Sequence, residues 1–117
     1  MYRKIYNVKI DETFLGREEH GILTCYLYLS GFGFGAVLGG RALDKYDESA
    51  NRRIATQKGF ELIDRILKIV GVQKWEDVAG KYIRVEVPDF GKKVTKIGNL
   101  IKEDWLDFEE YFSEQGK

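Results

Sequence analysis

The chain has 117 residues, the usual size of one domain, of which 44% are hydrophobic and 32% charged. Nineteen basic and 19 acidic residues cancel, which argues against nucleic acid as the main partner, because a duplex binder carries a clear basic excess. A single cysteine, Cys25, excludes an internal disulfide and fits a reducing cytosol. No apolar run reaches the ~18 residues of a membrane span, and the opening Met1-Tyr2-Arg3-Lys4-Ile5 has no signal-peptide core.

From Arg3 to Phe14 the residues alternate loosely, with Tyr6, Val8 and Ile10 on one side, which predicts a first strand. The charged stretch from Gly16 to Gly21 ends in His20-Gly21 and reads as a turn. Ile22 to Leu29 is the clearest strand: Leu23, Cys25, Leu27 and Leu29 share one face, and Thr24, Tyr26 and Tyr28 share the other. A glycine-rich strand follows from Gly31 to Gly40. There Phe32, Phe34, Ala36 and Leu38 alternate with Gly33, Gly35, Val37 and Gly39, so one face is nearly bare. A bare face serves either tight internal packing or close approach by a ligand or partner.

Asp47 or Ser49 is the expected cap of a helix running to Val70, with Phe60, Ile63, Ile66, Leu67 and Val70 as its apolar stripe and Gly71 as its stop. Gly59, inside that helix, marks a close approach to the sheet. Trp75-Glu76-Asp77 reads as a short helical turn. Lys81 to Val87 predicts a fourth strand, closed by Pro88. Asp89-Phe90-Gly91 predicts a hairpin turn into a fifth strand, Lys92 to Ile97. In the tail, from Leu100 to Gln115, Trp105, Phe108, Tyr111 and Phe112 suit a short amphipathic helix. The chain thus reads as a single α+β domain over 1–117. It is expected to hold an antiparallel sheet of about five strands, ordered β-β-β-α-β-β-α, packed on one long amphipathic helix, with a short C-terminal helix.

Recognisable catalytic chemistry is missing. The glycines near Phe34 lack the Lys-Ser/Thr of a phosphate loop and do not open a helix as a dinucleotide fingerprint must. One Cys and one His cannot build a zinc site, and they leave most nucleophile–base triads without members. The reading is a non-enzymatic protein without cofactor or metal. His20 reads as a turn residue, with a general base or phosphate contact as the alternative. Arg41, Arg52 and Arg53 flank the glycine strand and the helix start, where they are either scattered solvated arginines or an anion site completed by the helix dipole. Tyr26 and Tyr28, with Phe32, Gly33, Phe34 and Gly35, complete the set of candidate contact residues.

Several segments together resemble a family of short uncharacterised phage and prophage proteins: His20-Gly21-Ile22-Leu23-Thr24, Gly33-Phe34-Gly35, Gly39-Gly40-Arg41-Ala42-Leu43-Asp44, and Trp75-Glu76-Asp77-Val78-Ala79-Gly80-Lys81-Tyr82-Ile83-Arg84-Val85. The resemblance implies a phage accessory protein in the cytoplasm of a bacterial host, a class in which small proteins often counter host defences. The first expectation is an inhibitor that binds a host defence protein, as anti-CRISPR proteins do, through an exposed aromatic patch formed by Tyr26, Tyr28 and the tail aromatics. The alternative is a sponge for a cyclic nucleotide immune signal, a homo-oligomer with pockets at subunit boundaries. A nucleic-acid-binding phage accessory protein is the third, weakened by the zero net charge.

Overall fold

A computed structural model describes residues 4–31, 33–87 and 93–113, and for Phe34 the backbone alone. Phe32, Pro88, the expected turn at Asp89-Phe90-Gly91 and Lys92 lie outside the described residues.

The strands are β1 (Lys4–Arg17), β2 (Leu23–Gly31), β3 (Phe34–Gly39), β4 (Asp44–Asp47), β5 (Arg52–Ala55), β6 (Tyr82–Val87), β7 (Lys96–Gly98) and β8 (Trp105–Asp107). Among the described residues two α-helices, α1 (Gln57–Val70) and α2 (Phe108–Ser113), and two single 3-10 turns, Glu19–Gly21 and Trp75–Asp77, complete the elements. Six strands form one antiparallel sheet, ordered β3-β2-β1-β6-β7-β8, that curls into a half-barrel; β4 and β5 form a separate two-stranded sheet.

β1 is the organising strand. Its first part, Lys4 to Lys9, pairs with β6, and Lys9 to Arg17 pairs with β2. Between Ile10 and Glu12 the register shifts by one residue, so that Ile10 opposes Leu29 but Glu12 opposes Tyr28. A bulge of this kind reverses which face the following side chains occupy. Val8 and Ile10 are buried on the concave side, whereas beyond the bulge Thr13 and Leu15 stand opposite Leu27 and Cys25. Phe14 is thereby turned to the outer face beside Tyr26.

The concave face supplies the core. Val8, Ile10, Leu27, Leu29, Ile83, Val85 and Ile97 are buried there in one cluster with Leu62, Ile66 and Ile69 of α1 and Phe108 and Phe112 of α2. Thr56 caps α1, its Oγ1 accepting from the Gly59 N–H at 2.9 Å. Gly71, left-handed at φ 88°, ends it as anticipated, its N–H bonding to the Leu67 carbonyl.

The expected arrangement, a five-stranded sheet packed on one long helix in the order β-β-β-α-β-β-α, is not what the chain adopts. The molecule is mostly antiparallel sheet, with one substantial helix and one short one. Three local causes account for the difference. Residues 44 to 55, assigned in part to the helix, fold instead as the β4–β5 hairpin, held by an ion pair between buried Asp44 and half-buried Arg53. Asp47 and Ser49 lie at its turn, where the Ser49 N–H and hydroxyl bond to Asp47 Oδ1, so neither caps a helix. In the tail, Trp105 to Asp107 adds an eighth strand before the second helix starts.

The apolar stripe of α1 is also rotated from the expected one. Gly59, Leu62, Ile66 and Ile69 are its buried positions, while Phe60 is 78% exposed. Gly59 fixes this rotation: a Cβ there would lie 2.4 Å from the Leu43 carbonyl oxygen. The close approach is made to the chain leading into β4 rather than to the large sheet, and only glycine permits it.

Candidate functional site

The outer face of the β1–β2–β3 part of the sheet is aromatic next to bare backbone. The pairing places Phe14 opposite Tyr26, Tyr28 opposite Val37, and Ser30 opposite Gly35. The rings of Phe14 and Tyr26 lie 6.0 Å apart and those of Tyr26 and Tyr28 6.1 Å, both tilted, so the three form a continuous half-buried row. Such spacing is within the range of favourable ring–ring contact. The Tyr26 hydroxyl donates to Glu18 Oε2 at 2.8 Å, which anchors the middle ring of the row and raises its pKa above the usual phenol value. Val37, 54% exposed, sits beside the row on β3, which is an edge of the sheet. Edge strands present unpaired N–H and C=O groups to any extended partner.

The glycines of β3 divide between the two roles their spacing allows. A Cβ on Gly39 would stand 2.2 Å from the Cys25 carbonyl oxygen, and Gly39 has φ 120°, so this position is tight internal packing that only glycine satisfies. Gly33 has open space around it, and at Gly35 a Cβ would make only an ordinary contact with the Leu29 carbonyl. The exposed half of the glycine strand therefore lies at its beginning. Phe32 and the Phe34 side chain, expected to line it, are outside the described residues.

The tail aromatics do not join this face. Phe108 and Phe112 are buried in the core, and Tyr111 is half-buried, donating its hydroxyl to the Lys58 carbonyl at 2.7 Å. Trp105 covers Gly98 at the other end of the sheet, with the Arg84 guanidinium 4.7 Å from its ring centre. The aromatic that sequence periodicity missed is Phe14: the bulge that brings it beside Tyr26 leaves no mark in the alternation of apolar residues.

No protein-family model, curated protein or solved structure matches the chain.

The charged candidates separate. His20 is an exposed turn residue with φ 70°. Arg52 is exposed on β5, and its side chain bonds to the Arg53 carbonyl. Arg53 donates to Asp44 Oδ1 at 2.8 Å, and the Asp44 carboxylate, its side chain only 2% exposed, also accepts the Leu23 N–H and lies 3.7 Å from Arg17. The Arg53 bond holds Asp44 below the usual carboxylate range, against the opposing effect of burial. Arg53 is therefore committed to the hairpin. Arg41 is not: it is exposed, its guanidinium 4.9 Å from the Phe112 ring centre and 4.0 Å from Glu109. It lines a cavity with Lys45 of β4 and Lys58 of α1.

Cys25 is buried, and burial pushes its thiol up to about 12, away from the thiolate form that a nucleophile needs. Among the described residues no group of three or more His, Cys, Asp or Glu side chains could hold a metal ion, and no helix is long and apolar enough to cross a membrane.

Proposed function

We propose that this chain is a non-enzymatic binding protein of phage origin that inhibits a bacterial antiviral defence by holding a host defence protein on the outer face of β1, β2 and β3. The observation that carries this reading is the row of Phe14, Tyr26 and Tyr28 beside exposed Val37 on β3, an edge strand among the described residues. Aromatic side chains held rigid by their neighbours contribute most of the energy at protein interfaces and lose little conformational freedom on binding. The edge of β3 adds backbone groups that can pair with an extended segment of the partner. A stable complex of this type buries on the order of 1,200–2,000 Å², which the face and its rim supply only with a partner that follows the sheet.

The test is native co-purification of a tagged chain from the bacterial host, in the wild-type form and as Val37→Lys. Val37 is exposed, so the substitution leaves the fold intact while placing a charge in the centre of the proposed contact. The reading expects a stoichiometric defence protein with the wild type and its loss with Val37→Lys at an unchanged melting temperature. A defence protein retained equally by both forms, or by neither, would refute it.

A further inference from the structure

We propose that the cavity between β4, the start of α1 and α2 binds a small phosphorylated ligand through Arg41, Lys45 and Lys58. The cavity has a volume of about 510 Å³ and is lined by these three cations with Ala42, Asp44, Thr56 and Phe112. That volume lies within the range of small-molecule sites. It does not coincide with the aromatic face, and the inference is independent of the partner proposed there.

The three cations come from three different places in the chain: Arg41 from the loop after β3, Lys45 from β4, Lys58 from the first turn of α1. Cations on one solvated face spread apart; these converge on one concavity because the β4–β5 hairpin folds back beside the helix start. The acids that could neutralise them are already used or distant. Asp44, the one acid in the lining, spends its charge on Arg53 at 2.8 Å and Arg17 at 3.7 Å. Glu109 reaches only Arg41, at 4.0 Å and largely exposed to solvent. No ion pair involves Lys45 or Lys58 among the described residues; the Lys58 ammonium lies 4.5 Å from the Tyr111 ring centre instead. Thr56 does not compete for a ligand, since its Oγ1 donates to the Leu43 carbonyl and accepts from Gly59.

The remaining charge decides the class of ligand. One carboxylate cannot balance three cations, whereas a phosphate monoester carries about −1.5 to −2 charges at neutral pH in a few atoms. Two lysine ammoniums act as point charges on phosphate oxygens, and an arginine fork takes two oxygens at once. Phe112 is buried and its accessible side is occupied by the Arg41 guanidinium, so the lining offers no free ring for stacking. The site reads phosphate rather than a base.

Isothermal titration of the whole chain with inorganic pyrophosphate, ADP and citrate, at low ionic strength, tests this. Pyrophosphate and ADP should bind and citrate should bind more weakly. Lys45→Ala and Lys58→Ala should each weaken pyrophosphate binding by about tenfold or more, with the melting temperature unchanged for Lys45→Ala, which has no ion pair among the described residues, and lowered slightly for Lys58→Ala, which loses the Tyr111 contact. Adding salt should weaken the wild type more than the double variant. The proposal is overturned if neither phosphate binds at millimolar concentration, if the double variant binds as well as the wild type, or if citrate binds as tightly as pyrophosphate.

Discussion

Replacing Gly59 by alanine sets two effects of opposite sign against each other. In an isolated helix the change stabilises by about 1 kcal/mol, because alanine is the better helix former. In this fold the new methyl would sit 2.4 Å from the Leu43 carbonyl oxygen and 2.6 Å from the Leu43 Cα, inside the 3.0 Å limit of real Cβ contacts. Leu43 cannot easily retreat. Its N–H bonds to the Leu23 carbonyl at 2.8 Å, and its own carbonyl accepts both the N–H and the hydroxyl of Thr56, each at 3.1 Å. Overpacking against a backbone costs about 1–3 kcal/mol, and breaking the Leu43–Thr56 bonds adds about 1 kcal/mol for each. After the helix gain, the net loss is about 2–4 kcal/mol, a melting temperature lower by roughly 8–16 °C for a chain of this size. Thermal unfolding followed by circular dichroism measures it. An alanine variant as stable as the wild type, or more stable, would show that α1 does not press on Leu43 and that helix propensity alone governs the site.

The Arg53 bond gives Asp44 a lower pKa in the folded chain than in the unfolded one, so the folded state binds fewer protons. The stability this contributes is present above the ordinary aspartate value of about 3.9 and disappears as pH falls through the lower folded value. Urea midpoints between about pH 6 and pH 2 should therefore fall less for Asp44→Asn than for the wild type, from a lower start at neutral pH. Cys25 should react with a disulfide reagent at pH 8 only at the rate of unfolding, since burial holds the thiol protonated; immediate stoichiometric labelling would contradict the packing of β2. Thr56→Ala should cost about 1–2 kcal/mol by chemical denaturation, at the high end for a helix cap because the same hydroxyl also bonds to Leu43.

What could be read in advance followed from periodicity within one element. β2 alternates without interruption, and its buried Cys25, Leu27 and Leu29 are the residues that the alternation selects. The stop at Gly71 was legible because a left-handed glycine after an apolar turn is a local signal. β1 was legible as a strand to Phe14, but the facing of its side chains only as far as Ile10. The extra residue at the bulge costs nothing in composition, so Phe14 could not be placed beside Tyr26. The hairpin of β4 and β5 was hidden for a different reason. Its strands are four residues each, rich in charge, and stabilised by Asp44 meeting Arg53 across the pair, a contact between residues nine apart that apolar periodicity does not register. The consequence reached the candidate cavity. Arg41 stood out beside the glycines, but Lys45 and Lys58 become its neighbours only once that hairpin exists, and Arg53, which looked available, is consumed in building it.

The division of β1 between two partners bears on how the chain is made. Lys9 to Arg17 meets its partner β2 within a few residues of sequence, so that hairpin can close as soon as it leaves the ribosome. Lys4 to Lys9 waits for β6, which begins at Tyr82. At about 5–20 residues per second, that half of the strand stays without its partner for roughly 4–15 seconds of synthesis. An open strand next to a finished hairpin is a template for pairing with another nascent chain. Lys4 and Lys9 place positive charge along this strand, and charge of one sign along an open edge disfavours pairing with a second copy of it.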